Sequence, residues 1–221
     1  MQQPGPSQSA SYPPPPVDAT PNEQLEYDRG LWNHFLLDAT WRNTRFNAQP
    51  NRLLLEAVED CRAGKALDVN MGEGRNALYL AQQGWQVTGV DIADQALVYA
   101  QQQAQRLGVC LTTIEHDANT YNWGTNQWDL IVLCYADEGT HVAQVQAALR
   151  PGGLLVFENF HVEVNQTRNN QSGKTIGFAT NELQHLYAAA NFQIIRYEEP
   201  LSVADFSKET CRLVKLVAQK I

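Results

Sequence analysis

From residue 65 to the C-terminus, short apolar runs alternate with stretches whose apolar residues recur every three or four positions. Ala66–Val69, Gln86–Val90, Leu111–Glu115, Trp128–Leu133 and Leu154–Phe157 are brief and bounded by Gly, Asp or Pro, so they read as strands. The spacing predicts helices near Arg75–Gln83, Asp94–Leu107 and Thr140–Leu149. In the second of these Ala96, Leu97, Ala100, Ala104 and Leu107 share a face, and the glutamines between them, Gln101–Gln103 included, form the solvated side. Arg150-Pro-Gly-Gly153 reads as a helix stop and turn. A helix near Asn181–Ala190 then leads to strands at Phe192–Tyr197 and Arg212–Ala218. Residues 199–210 between them show no helical period, so an antiparallel hairpin at the sheet edge is expected. Such alternation predicts a mostly parallel sheet of seven strands with helices on both faces.

The first part of the chain is patterned differently. Residues 1–22, with Tyr12-Pro-Pro-Pro-Pro16, are rich in Pro, Gln and Ser and bury too little apolar surface to offset chain entropy, so a disordered or polyproline II tail is expected. From Glu23 to Leu37, Leu25, Leu31, Trp32, Phe35 and Leu36 predict an amphipathic helix, and Asn51–Val58 predicts another with Asn51 near its N-cap. Residues 23–221 are therefore read as one domain whose N-terminal helical cap covers about 23–62. No internal repeat and no second domain is visible, and the length suits a single core.

Charge and cysteines narrow the function. The net charge is −8 and the 16 Lys and Arg are scattered, which excludes the electrostatic footprint of a nucleic-acid binder. Cys61, Cys110, Cys134 and Cys211 form no Cys-x-x-Cys pair and have no His-rich neighbourhood, so no metal site is expected and buried free thiols are. No apolar run is long enough for a membrane span and no leader pattern opens the chain. The expectation is a soluble cytoplasmic protein, monomer or homodimer, with an exported chain already trimmed of its leader as the alternative.

The chemistry concentrates in residues 65–92. A strand ending in Asp68, a turn with Gly72 and Gly74, a helix, and a second strand closed by Asp91 place two acids and bare backbone around one crevice at the carboxyl ends of the strands. Asp91 is placed to accept hydrogen bonds from ribose hydroxyls. Gly72-Glu-Gly-Arg-Asn-Ala77 also satisfies the dinucleotide pattern G-x-G-x-x-G/A. Yet a carboxylate at Asp68 repels a pyrophosphate and suits an ammonium or sulfonium cation. Asp117-Ala118 after the third strand offers an acid to an adenine amino group.

Asp68-x-Asn-x-Gly-x-Gly74, Asp91, Asp117-Ala118 and Trp128-Asp-Leu-Ile-Val-Leu133 with Arg150-Pro-Gly-Gly153 resemble the ordered motifs of class I S-adenosylmethionine-dependent methyltransferases, from about Phe46 onward. Gly74-Arg-Asn-Ala-Leu-Tyr-Leu-Ala81 and Pro50-Asn-Arg-Leu-Leu54 are similar to the small tellurite-resistance/thiopurine-like branch. The resemblance implies an α/β Rossmann-like three-layer sandwich, S-adenosyl-L-methionine as cofactor, and cofactor contacts from Asp68, Asn70, Gly72, Gly74, Asn76, Asp91, Ile92, Asp117, Ala118 and Cys134. The family usually has glycine where Asn70 stands, and Asn tolerates left-handed backbone well.

Methyl transfer from a sulfonium needs alignment more than covalent help, and a base only where the acceptor arrives protonated. Tyr135 and Asp137 after the fourth strand, and Glu158 and His161 after the fifth, are the acceptor-side candidates, with His161 as a base that Glu158 orients. Tyr135, Glu158 and His161 are taken as the catalytic set, and Trp32, Trp41 and Phe46 as a pocket cap. The late His-Arg pair of tellurite enzymes is missing from Leu201–Thr210, and Cys134-Tyr-Ala-Asp137 replaces the Asn/Asp-Pro-Pro-Tyr of nucleic-acid and protein-amide methylation. A small-molecule acceptor with an O, S or N nucleophile remains. The alternatives are an NAD-dependent oxidoreductase and a non-catalytic S-adenosylmethionine-binding relic, the latter motivated by Asn70.

Overall fold

The computed structural model describes residues 12–14, 16, 18–136, 139–167 and 175–221. Helix α1 (Pro21–Leu37) starts at Thr20, whose side chain accepts from the Glu23 N–H while Glu23 reaches back to the Thr20 N–H. This capping box starts the helix two residues inside the expected tail. Upstream, the Tyr12 ring packs on Tyr27 and His34, and the Pro13 carbonyl accepts from the Tyr27 hydroxyl, so residues 12–14 lie along α1 rather than apart from it. Asp38 then caps α2 (Ala39–Arg45), a helix the apolar spacing does not signal, by accepting from the N–H groups of Thr40 and Trp41. Helix α3 (Arg52–Val58) has Asn51 at its N-cap, as expected.

The sheet contains β1 (Lys65–Val69), β2 (Gln86–Asp91), β3 (Leu111–Glu115), β4 (Trp128–Cys134), β5 (Leu149–Phe160), β6 (Phe192–Glu198), β7 (Leu201–Val203) and β8 (Thr210–Lys220). Its order is β3-β2-β1-β4-β5-β8-β6, with β7 also paired to β8. Strands β1 to β5 are parallel, and β8 runs antiparallel to both β5 and β6. The mostly parallel sheet with an antiparallel C-terminal pair is as expected, but the described residues form eight strands instead of seven. The added one, β7, falls in the segment read as a plain loop, because three residues are too few for a period to show. Strand β5 likewise begins at Leu149, through the Pro-Gly-Gly turn, and shortens α6 (Val142–Ala148).

Helices α4 (Arg75–Gln82) and α5 (Asp94–Leu107), with α3, cover one face, burying Leu53, Leu54, Leu80 and Ala100 against Ala66, Leu130, Val132 and Val156. On the other face α6 and α8 (Glu182–Ala189) bury Val145, Leu183 and Tyr187 against Leu67, Ile131, Leu133 and Phe157. A short α7 (Val164–Thr167) follows β5. Strand order reverses between β1 and β4, which opens a crevice at their carboxyl ends.

None of the four cysteines is in a disulfide, but the expected burial is not found: Cys110 is exposed and the others are half-buried. Among the described residues no group of three metal-ligating side chains is present, and no helix is long and apolar enough to cross a membrane.

Candidate active site

Asp68 and Asp91 end adjacent strands on the face that carries α4 and α5. Asp68 pairs with Gly89 in register, and Asp91 lies two residues further along, so both carboxylates project to the same side. Asp91 is held by backbone: Oδ2 accepts from the Gly72 N–H at 2.7 Å and Oδ1 from the Ala93 N–H at 2.8 Å. Burial pushes its carboxyl up, against the Ala93, Gly72 and Ile92 N–H groups that hold it down. Asp68 is 2% exposed, and its Oδ2 has no hydrogen-bond partner among the described residues. Desolvation lifts the Asp68 carboxyl to about 7, with Arg75 and the Ala77 N–H opposing and Asp91 adding. An orphaned buried carboxylate oxygen costs free energy until a donor or cation reaches it.

The turn between these acids has the backbone its residues allow. Asn70 sits at φ 52° and takes the left-handed conformation expected of it. Gly72 has φ 55°, and a Cβ there would meet nothing within 4 Å, so its main chain faces open space. Gly74, at φ 79°, caps α4, and a Cβ there would lie 3.1 Å from the Ala100 Cβ, so this glycine serves helix packing. Asn76 is buried, and its amide oxygen accepts from the Asn51 N–H at 2.8 Å. Asp117 is turned into its own loop, accepting from the Asn119 N–H and the Thr120 hydroxyl, beside buried Ala118. Ile92 follows Asp91 and is half-buried.

Cys134 and Glu158 continue the same face across β4 and β5. They are partners in register, two residues beyond Val132 and Val156 of the core under α3 and α4. The Cys134 thiol is pushed well above its ordinary range by desolvation first and by Glu158 second, so it is a neutral thiol. Glu158 is 2% exposed, and its Oε1 accepts from Asn51 Nδ2 at 2.8 Å and the Tyr135 hydroxyl at 2.9 Å. Burial and Glu158 raise Tyr135 far beyond the usual phenol range, so it acts as a hydroxyl donor.

The pairing expected of His161 with Glu158 is not formed. Three residues apart along an extended segment, they point to opposite sides. His161 Nε2 lies 3.0 Å from the Thr180 hydroxyl, and its Nδ1 accepts from the Glu163 N–H. Asp137 lies outside the described residues. Trp32, Trp41 and Phe46 form an aromatic band: Trp41 packs edge-on to Phe46, and Phe46 and Trp32 both pack on Phe206.

Three residues at the site carry no sequence signal of their role. Asp205 accepts from Asn51 Nδ2 and Arg75 Nη1, each at 2.8 Å, and from Asn47 Nδ2 at 2.9 Å. Its N–H donates to the Tyr135 hydroxyl at 3.1 Å. Asn51 thus joins the N-terminal cap, Glu158 and the β7–β8 loop. Only its N-cap position was readable; Arg75 and Asp205 meet across 130 positions of chain, beyond any local pattern.

Comparison with known proteins agrees with this geometry. The family described as "Methyltransferase domain" matches residues 66–153, the span from β1 through the β5 turn. Residues 66–153 are thus similar to a methyltransferase domain. YqeM, a methyltransferase-named protein of Bacillus subtilis (strain 168), is 29% identical over 104 residues, 43% of this chain and 42% of its own. The uncharacterized methyltransferase sll0829 of Synechocystis sp. is 26% identical over 175 residues, 66% of this chain and 81% of its own. TehB of Haemophilus influenzae shares the fold at TM-score 0.64 and 19% identity, over 76% of this chain and 61% of its own. The chain spans about half or less of the length of several curated relatives it matches. Asp68, Asp91 and the glycine turn lie inside the matched span, while Asn51, Glu158 and Asp205 lie outside it.

Proposed function

We propose that the protein transfers the methyl group of S-adenosylmethionine to a small-molecule acceptor. The observation that carries this reading is the pair of buried acids at the switch in strand order, one of them with an oxygen that no group among the described residues satisfies. The crevice residues fit the cofactor. Asp68 supplies the missing partner for an α-ammonium group, Gly72 offers unobstructed main chain, and Asp91, fixed by two N–H groups, offers its remaining lone pairs to ribose hydroxyls. Ala118 and Asp117 border the adenine side, and Cys134 the methionine side. When bound, the sulfonium supplies an electrophilic methyl group whose leaving thioether is neutral. The chain's own part is to hold the cofactor, exclude water and present the acceptor in line.

NAD is the weaker reading, because Asp68 faces the place a pyrophosphate would need. A relic without affinity is disfavoured by Asn70, which adopts the positive φ of the turn. Thermal-shift titration with S-adenosylhomocysteine and with NADH separates the readings. Stabilisation by S-adenosylhomocysteine is expected; stabilisation by NADH alone overturns the assignment.

A further inference from the structure

The carboxyl ends of β1, β4 and β5, with the antiparallel β8 beside them, carry one row of side chains on the α3–α4 face. Asp68 on β1 faces Val132 in register, Cys134 lies two residues on in β4, Cys134 pairs with Glu158 on β5, and Glu158 pairs with Lys215 on β8. Neighbouring strands are about 4.8 Å apart. Asp68 would hold the methionine end of the cofactor, and Cys134 and then Glu158 are the next positions along the row.

The two oxygens of Glu158 differ. Oε1 is taken by Asn51 and Tyr135, whereas buried Oε2 has no directed donor among the described residues. Lys215 Nζ lies 3.0 Å from Oε2, off hydrogen-bond alignment, so it balances charge without filling the oxygen's lone pairs. Beside this carboxylate the Tyr135, Phe160 and Phe206 rings form an apolar wall, Phe160 at 5.2 Å and Phe206 at 6.5 Å from Tyr135. Tyr135 holds φ 56°, a conformation that costs a bulky residue about 1–2 kcal/mol. That conformation places its hydroxyl between Glu158 and the Asp205 N–H.

We propose that the acceptor is a small aromatic compound bearing a hydroxyl or amino group, that Glu158 Oε2 receives the proton this group loses, and that Asp205 is the residue positioning Glu158. This rests on the methyl-transfer reading above. The acceptor lone pair forms the bond to the methyl carbon as the carbon–sulfur bond breaks. The sulfur keeps that electron pair as a thioether, and the O–H or N–H proton passes to Oε2. Asp205 acts at one remove, fixing Asn51 and the Tyr135 hydroxyl, the two donors on Oε1. A carboxylate acceptor arrives already deprotonated and has no proton to give Oε2, so Glu158 does nothing for it and it is disfavoured.

The test uses the full chain with phenol, aniline and benzoate as probes. S-adenosylhomocysteine formation is the activity readout, and probe binding to the S-adenosylhomocysteine complex is followed by saturation-transfer NMR. Phenol or aniline is expected to bind and turn over, with benzoate at least about tenfold slower. Glu158→Gln is expected to cut kcat about a hundredfold while S-adenosylhomocysteine affinity stays within about twofold. Asp205→Asn is expected to lower kcat per titrated cofactor site by about tenfold with acceptor KM little changed; a merely structural role would lower the number of sites instead. Should Glu158→Gln fold poorly, Tyr135→Phe, which keeps the ring and removes one Oε1 donor, is expected to cost kcat about tenfold. Turnover of benzoate alone, of none of the three probes, or of phenol unchanged by all the variants overturns the proposal. Failure of the wild-type protein to bind S-adenosylhomocysteine overturns the methyl-transfer reading instead.

Discussion

At the scale of single residues, Asp68 couples the site to pH. Its carboxyl is lifted to about 7, so between the ordinary carboxylate range and that value the folded protein keeps a proton the unfolded chain has released. Stability therefore falls as pH rises through this window and levels off above it, by on the order of 4 kcal/mol in all. Asp68→Asn removes that contribution. Melting temperatures of variant and wild type, compared from about pH 4 to about pH 8, are expected to diverge in the variant's favour as pH rises; a constant difference contradicts the raised value. A cationic ligand reverses the preference, so S-adenosylhomocysteine affinity is expected to climb with pH toward about 7 and binding to expel a proton, read as buffer-dependent heat. Gly72 separates backbone strain from ligand approach. With open space but φ 55°, Gly72→Ala is expected to cost about 1 kcal/mol of stability in urea unfolding while weakening S-adenosylhomocysteine by more than about tenfold. Equal affinity would remove Gly72 from the cradle.

At the scale of elements, the cap of α1 and α2 is fastened to the C-terminal half by the segment after β7. Phe46 and Phe206 form a bridge pair, Asn47 N–H donates to the Asp205 carbonyl, Ser207 N–H donates to the Arg45 carbonyl, and the Arg75–Asp205 ion pair is largely enclosed. Removing one partner of such a pair strands the other charge. Asp205→Ala is therefore expected to destabilise by about 3 kcal/mol and to raise amide exchange across residues 23–50 before the sheet. Unchanged exchange there would mean that the cap is held by α1 against α5 alone. The strands and large helices were legible because their apolar periods run for several repeats. Helix α2 and strand β7 were not, since Asp38 as cap and pairing to β8 define them rather than any period.

For the whole molecule, the crevice follows from topology: reversal of strand order between β1 and β4 leaves the ends of β1 and β2 open to a ligand, and α4 begins at their turn. That half of the site was readable because Asp68, Asn70, Gly72, Gly74 and Asp91 lie within one strand–turn–helix–strand unit. The half around Glu158 was readable only in fragments. Tyr135 and Glu158 stand near the ends of visible strands, but nothing local sets His161 on the opposite face, or brings Asn51 to Glu158 and Asp205 across more than a hundred positions. The most direct measurement is calorimetric titration of S-adenosylhomocysteine into the wild-type protein and Asp91→Ala. Micromolar binding at one site per chain in the wild type, lost by at least about a hundredfold in the variant, is the expected result. Equal affinity in the two proteins, or no binding to either, contradicts a sulfonium-nucleoside crevice built on these acids.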